Sequence, residues 1–183
     1  LALGGGSVNL TLASSTLLGT GGPGPDSVGL RLMTGNTGLI SVTSNTVRGD
    51  FQYGVFAATQ TPNTNVFLTS NTIVSALTSG RDAYGIYLNG LLTGATISNN
   101  ALVHRTPGSM GANTAYSFFV QSGAGIVFEK NRINNPGLVT GGSFEAIRLI
   151  DADTIELEFN DIHSTGTALS MVDSPARRVP VST

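Results

Sequence analysis

The chain has 183 residues, a formal net charge of -2 and no cysteine. Hydrophobic residues make up 40% of it and charged residues only 11%, well below the roughly 25% that is usual in globular proteins. These values exclude a disordered polar chain, disulfides and thiolate metal sites, and the lack of any Lys/Arg cluster beyond Arg177-Arg178 argues against nucleic acid as a partner.

A corner segment recurs along the chain, with the pattern apolar, polar, apolar, polar, x, Asn, x, apolar. The recurrent position is Ser15 in the first segment, residues 8–17, and an asparagine in the other five: Asn45, Asn71, Asn100, Asn131 and Asn160. The spacings are 30, 26, 29, 31 and 29 residues. The alternation predicts a half-buried strand. The Asn predicts a tight corner after it, because Asn tolerates left-handed backbone and caps nearby amides.

A second predicted strand lies on the N-terminal side of each of the five corner segments from the second onward, and a sixth such strand follows the last segment. These strands begin with a small residue and share one alternation of apolar and polar positions: residues 29–32, 54–57, 85–88, 117–120, 146–149 and 168–171. Gly-rich stretches of varied length, such as 106–111 and 136–142, separate one repeat from the next. Insertions confined to one connection are typical of solenoids.

Repeats with the same strand order stack as parallel strands about 4.8 Å apart. The inward positions then form two apolar columns: Leu30, Val55, Ile86, Phe118, Ile147 and Leu169; and Leu10, Val42, Leu68, Ile97, Phe128 and Leu157. The Asn side chains stack in a ladder of amide hydrogen bonds. We therefore predict an all-β fold, a right-handed single-stranded parallel β-helix (solenoid) of about six coils over residues 1–173, with 174–183 as a tail or linker. The alternative is an antiparallel β-sandwich, which leaves the regular Asn spacing unexplained.

The corner sequences carry a resemblance to a known superfamily. Ser-Asn-Thr-Val, Ser-Asn-Thr-Ile, Asn-Asn-Ala-Leu, Lys-Asn-Arg-Ile and Phe-Asn-Asp-Ile, with the Gly-Val, Gly-Ile and Ala-Ile strands before them, resemble the right-handed parallel β-helix superfamily over residues 8–173. That superfamily comprises the pectate-lyase-like group and its repeat relatives in bacterial surface proteins. The resemblance implies a secreted or cell-surface bacterial protein. It leaves function open, because these motifs build the scaffold.

The outward column of the first strand holds the candidate binding residues. It reads Arg31, Phe56, Tyr87, Phe119 and Arg148, followed by Ser170. Exposed aromatic rings stack on sugars and anchor protein contacts, and Arg adds a fork of hydrogen-bond donors. We predict an adhesin, passenger or fibre-like module that binds a glycan or a surface protein through these residues. The alternative is that a loop, such as residues 104–116, covers the rings.

The outward column of the corner strand is expected to read Thr11, Thr43, Thr69 and Ser98, and then Glu129 and Glu158. The hydroxyl ladder fits ice, a hydrated glycan or an ordinary soluble β surface. Glu129 and Glu158, with Glu156 beside them, require a cation, a basic neighbour or a raised pKa if they adjoin. A Ca²⁺ site, an acid/base pair and a solvated charge patch are all open readings. Arg132 and Asp161 occupy equivalent positions and are expected to pair.

The enzyme alternative is a polysaccharide lyase or glycoside hydrolase of the same superfamily. Polygalacturonase-type hydrolases resemble one another in Asn-Thr-Asp, Asp-Asp and Gly-His-Gly motifs, which this sequence lacks. The nearest counterpart of a lyase site is Arg148 with Glu145, Asp151 and Asp153, although turns favour Asp for backbone reasons alone. We assign no catalytic residue, no metal, no cofactor and no role to His104 or His163.

The remaining expectations concern partners and chain ends. No apolar run reaches the roughly 18 residues of a membrane span. The start, Leu1-Ala2-Leu3-Gly4, shows no Met and no signal-peptide layout, which predicts an excised or processed chain. Neither end resembles a capping helix, so a homo-oligomer partner or the continuation of a longer chain is expected to cover the core there.

Overall fold

The structure is a computed structural model that describes residues 1–3, 6, 8–19, 27–58, 65–76, 81–105, 113–134, 142–163 and 166–172. Every regular element in these ranges is a β-strand. The strands are β1 (Ala2–Leu3), β2 (Val8–Ala13), β3 (Thr16–Leu18), β4 (Val28–Leu32), β5 (Thr37–Thr43), β6 (Thr46–Gly49), β7 (Tyr53–Ala57), β8 (Asn65–Thr69), β9 (Thr72–Ala76), β10 (Ala83–Ser98), β11 (Ala101–Arg105), β12 (Thr114–Glu129), β13 (Arg132–Asn134), β14 (Ser143–Ile150), β15 (Asp153–Glu158), β16 (Asp161–His163) and β17 (Thr167–Val172).

The strands pair in three rows that run along one axis. The first row is β1-β4-β7-β10-β12-β14-β17, and the second is β2-β5-β8 continued by the later parts of β10 and β12 and then by β15. The third row is a separate six-stranded sheet, β3-β6-β9-β11-β13-β16. Because β10 and β12 each belong to two rows, the first two rows form one 11-stranded sheet.

The described strands all pair in parallel, which confirms the predicted all-β solenoid and excludes the antiparallel sandwich. The solenoid has about four turns rather than six. The right-handed sense of the helix remains a prediction.

The predicted core columns are confirmed except in the first coil. Leu30 pairs in register with Val55, and the same column continues through Ile86, Phe118, Ile147 and Leu169. In the second column Val42 pairs with Leu12, so the predicted Leu10 is wrong by two residues. Ser15 marks the corner, and counting back three residues from it, as Val42 lies from Asn45, leads to Leu12.

The corner asparagines form a buried ladder through the solenoid, as predicted. Each backbone N–H and side-chain Nδ2 donates to Oδ1 of the Asn in the following coil. Asn71 illustrates this, donating to Asn100 Oδ1 over 2.8 Å and 3.0 Å. Nδ2 of Asn71 also donates to the carbonyl of Val42 over 2.8 Å. The same pattern runs from Asn45 to Asn160, so these buried amides have partners on both sides.

The left-handed backbone of the corner belongs to the residue before each Asn. The residues with φ between 50° and 58° at the corners are Ser14, Ser44, Ser70, Asn99, Lys130 and Phe159. The assignment of this conformation to the ladder Asn itself is therefore wrong. The residue before each ladder Asn adopts the left-handed conformation that turns the chain. The ladder Asn follows this turn and directs its amide into the core.

Small residues at the start of the first-row strands allow close packing against the six-stranded sheet. A Cβ added to Gly54 would lie 2.5 Å from Cγ2 of Ile73 and 2.7 Å from the carbonyl oxygen of Gly85. A Cβ on Gly29 would lie 2.5 Å from Cγ1 of Val47. The rows therefore approach closely only where the side chain is absent or small.

Candidate binding face

The predicted outward column lies on the first row, and its members adjoin as expected. Arg31 pairs in register with Phe56, and Phe56 with Tyr87. Tyr87 pairs with Phe119, and Phe119 with Arg148. The sequence therefore identified a continuous column of three aromatic rings with an arginine at each end.

A second aromatic column, which the sequence analysis missed, lies beside the first. Tyr53 pairs in register with Tyr84, and Tyr84 with Tyr116. The ring centroids of Tyr53 and Tyr84 are 4.9 Å apart with an interplanar angle of 6°. Those of Tyr84 and Tyr116 are 5.2 Å apart at 15°. With Phe56, Tyr87 and Phe119 these tyrosines form a cluster of six rings, which we call the aromatic face.

The two columns interlock through edge contacts. Phe119 meets Tyr84, Tyr87 and Tyr116 at centroid distances of 5.3, 4.8 and 5.0 Å, with interplanar angles of 89°, 83° and 78°. Its side chain is only 7% exposed. Phe119 therefore packs beneath the tyrosines, while Phe56 and Tyr87 remain half-buried. Loop residues 106–112, part of the predicted cover over the rings, lie outside the described residues.

An irregular burial pattern explains why the second column is hard to see in the sequence. Strand β7 has the pattern half-buried, buried, buried, half-buried, buried, so Gly54 and Val55 both point inward. Tyr53 and Phe56 therefore share the outer face although they are three residues apart. Strict alternation would place Tyr53 inside. The recurrent signal was a Tyr three positions before an aromatic residue, with a small residue between them.

The orientation of the rings determines what the aromatic face presents. Since Tyr53, Tyr84 and Tyr116 stack along the solenoid axis, each covers a face of its neighbour. The ring of Tyr87 also stacks on Tyr84, at 4.9 Å and 18°. The stack therefore leaves few open ring faces, and the half-buried tyrosines meet solvent with the remaining part of each ring. This arrangement favours hydrogen bonding over the ring-on-sugar stacking expected from the sequence.

The pKa values of Tyr84, Tyr87 and Tyr116 are raised, so these phenols hold their protons more tightly than a free tyrosine does. Burial, reinforced by the negative charge of Asp82, raises the pKa of Tyr84 well above its usual value. Burial also raises the pKa of Tyr87, and it raises that of Tyr116 against the opposing effect of a hydrogen bond with Thr114. A protonated phenol both donates and accepts hydrogen bonds. The hydroxyl of Tyr87 donates to Oε1 of Gln121 over 2.6 Å, whereas that of Tyr84 makes no hydrogen bond within the described part of the chain.

Each end of the aromatic face carries an arginine that is already engaged. The guanidinium carbon of Arg31 lies 5.3 Å from the ring centroid of Phe56, within cation–π range. Arg148 donates from Nη1 to both carboxylate oxygens of Glu145, over 3.3 and 3.2 Å, and to the hydroxyl of Ser170 over 2.7 Å. Its Nε is buried and has no partner among the described residues.

The second row carries the polar column predicted for the other face, with one correction. Thr43, Thr69 and Ser98 adjoin in register, but the first member is Ala13 and not Thr11, which pairs with Ser41. The Thr69 and Ser98 hydroxyls are 3.4 Å apart, and Ser98 is 5% exposed. The hydroxyl ladder is therefore short and partly withdrawn from solvent.

The predicted charge neighbours are in place. Glu129 pairs in register with Glu158, and Nζ of Lys130 lies 3.5 Å from Glu129, supplying a basic neighbour. Nε of Arg132 lies 3.7 Å from Asp161, which confirms that pair. Both ion pairs are largely exposed and contribute little to stability.

The described residues contain no group of three or more His, Asp or Glu side chains placed to hold a metal ion. Asp151 is exposed in the turn before β15 and Asp153 is exposed at the first residue of that strand, and within the described ranges the ion-pair partner of Arg148 is Glu145. His163 lies 2.9 Å from Asp161 on the six-stranded sheet, and the side chain of His104 lies outside the described residues. Among the described residues, Arg148 is thus bound by one carboxylate, that of Glu145, and by the hydroxyl of Ser170, rather than by a cluster of acidic side chains.

Comparisons with family models, curated proteins and solved structures gave no match to the chain. Within the described ranges, no helix has the length and apolar character needed to cross a membrane.

Proposed function

We propose that the chain is a surface-exposed β-helix module that binds a glycan through the aromatic face. The observation that carries this proposal is the row of stacked, half-buried tyrosines, Tyr53, Tyr84 and Tyr116, on the outer face of the first row. A glycan offers a matching row of hydroxyls, each able to donate and accept. Because the rings hold one another in place, little side-chain entropy is lost on binding.

The polar groups around the tyrosines support the same proposal. Gln121, Glu145, Arg148 and Ser170 lie next to the rings and provide an amide, a carboxylate, a guanidinium and a hydroxyl. A few fixed polar groups on an aromatic platform are typical of ligand sites that depend on hydrogen-bond geometry. The secreted or bacterial cell-surface location and the pectate-lyase-like kinship belong to this proposal and come from the sequence resemblance alone.

The test is binding of the purified chain to a printed glycan array. Tyr84→Phe and Tyr116→Phe keep the stack and remove only the hydroxyls, so each should weaken binding by about fivefold to tenfold if those hydroxyls contact the ligand. Phe67→Leu is the matched control, because Phe67 is 38% exposed on the second row, away from the aromatic face. Full binding by both tyrosine variants would contradict the proposal.

Two rival functions can be tested on the same purified chain. A polysaccharide lyase or hydrolase would release unsaturated products or reducing ends from polyuronates, with turnover lost in Arg148→Ala. A protein-binding module would bind no glycan on the array. When immobilised, it would instead retain a partner protein, and Tyr84→Phe would abolish that retention. Either result would replace the glycan-binding proposal.

A further inference from the structure

The charges at the Arg148 end of the aromatic face compensate one another. The positive charge of Arg148 faces Glu145 at 3.2 Å, with both side chains largely buried at 25% and 17% exposure. Arg31 lies over the ring of Phe56 at the opposite end. Asp82 is the second carboxylate near the tyrosines and accepts a hydrogen bond from the backbone N–H of Thr114 over 2.7 Å. At the Arg148 end, a paired cation and two carboxylates thus border the row of uncharged hydroxyls.

Such a frame discriminates against an anionic ligand. A carboxylate or sulfate that loses water on binding needs a cation whose charge is not already used. Glu145 already offsets the charge of Arg148 through Nη1, and Glu145 itself would repel an incoming anion. A bridging metal ion is no substitute, since the described residues offer no group of three His, Asp or Glu ligands.

We infer that the ligand of the aromatic face is an uncharged glycan, selected over acidic polysaccharides by the Glu145–Arg148 ion pair. This inference rests on the proposed glycan-binding function and specifies its ligand class. A ligand held by neutral hydrogen bonds should also bind with little dependence on ionic strength.

The test uses pairs of polymers that share a backbone and differ in charge. Polygalacturonate is compared with its carboxyl-reduced product, and dextran sulfate with dextran, together with the acidic and neutral members of the glycan array. We expect at least one neutral glycan to bind, about tenfold or more tightly than its acidic counterpart, the effect of one uncompensated charge. Binding of the acidic member as tightly or more tightly overturns the inference and leaves the glycan-binding function standing. No binding to any member overturns both.

Glu145→Gln tests the role of the ion pair directly. It frees the guanidinium of Arg148 and should shift the ratio of acidic to neutral affinity toward the acidic ligand by about fivefold or more. The control is Glu156→Gln, which changes the net charge equally on an exposed position of the second row. An equal shift in both variants would mean that net charge sets the preference. An unchanged ratio in Glu145→Gln would show that the ion pair does not select the ligand. Either result overturns the inference.

Discussion

Replacing Asn100 by Ala should be among the most destabilising single changes in this chain. Asn100 is 1% exposed and lies in the middle of the ladder. Its Oδ1 accepts the backbone N–H and the Nδ2 of Asn71, and its own Nδ2 donates to the Leu68 carbonyl over 2.8 Å and to Asn131 Oδ1 over 2.9 Å. The substitution therefore leaves two donors of Asn71 and the carbonyl of Leu68 buried without these partners.

The size of the effect follows from the number of buried polar groups that lose their hydrogen-bond partner. A buried polar group that loses its partner costs about 1–3 kcal/mol, so three such groups sum to roughly 3–9 kcal/mol. Local relaxation places the expected loss near the lower end of that range, about 3–5 kcal/mol, a large fraction of the stability of most domains. The cavity left by the amide acts in the same direction.

Urea unfolding followed by circular dichroism measures this loss, with midpoint and slope compared between variants. Asn160→Ala is the control, since Asn160 ends the ladder, is only half-buried, and leaves groups that water can reach. We expect it to cost about 1–2 kcal/mol. If Asn100→Ala cost no more than Asn160→Ala, the claim that buried ladder bonds stabilise the stack would be refuted.

Three further predictions use single positions of the first row. Ser117→Ala should stabilise the chain by about 1 kcal/mol or leave its stability unchanged, because the Ser117 hydroxyl is fully buried without a partner in the described structure. Urea midpoints measure this effect, and a clear loss of stability would contradict the prediction. Gly54→Ala should cost about 1–3 kcal/mol in the same assay, since its Cβ would press on Ile73 and on the Gly85 carbonyl; an unchanged midpoint would contradict the close packing. The pKa of Tyr84 is raised on folding, so the folded state holds that proton more tightly. The stability contributed by Tyr84 is complete below about pH 10 and declines as the pH rises beyond it. Tyr84→Phe should flatten this alkaline decline, and equal slopes in both proteins would contradict the shift.

Most of the fold could be predicted because one structural unit recurs. The Asn spacing and the alternation before it fixed the parallel stacking, the ladder and the column from Arg31 to Arg148. These features depend on contacts between equivalent positions of neighbouring coils. In a repeat sequence those positions can be identified from their spacing. The first coil was misaligned because Ser15 replaces the marker Asn, leaving the apolar positions Leu10 and Leu12 as competing choices.

The rest depended on geometry that alternation cannot express. The tyrosine column required two consecutive inward residues, Gly54 and Val55, and nothing in a period-2 pattern indicates that break. The left-handed residue at the corner is a Ser, Asn, Lys or Phe, so residue type alone does not mark it. Ring orientation and the engagement of Arg148 by Glu145 are products of side-chain packing and likewise had to be observed.

The ladder also gives the solenoid a direction of growth. Each ladder Asn from Asn45 to Asn131 sends its backbone N–H and an amide hydrogen toward the coil that comes later in the chain, as Asn45 does toward Asn71. A chain emerging from the ribosome therefore ends, at each stage, in a finished coil with two unsatisfied donors, and the next coil brings the oxygen that receives them. Coils that formed in the order of synthesis would each present donors to an oxygen that arrives later, whereas a coil added at the opposite end would have to orient its donors toward an oxygen already in place.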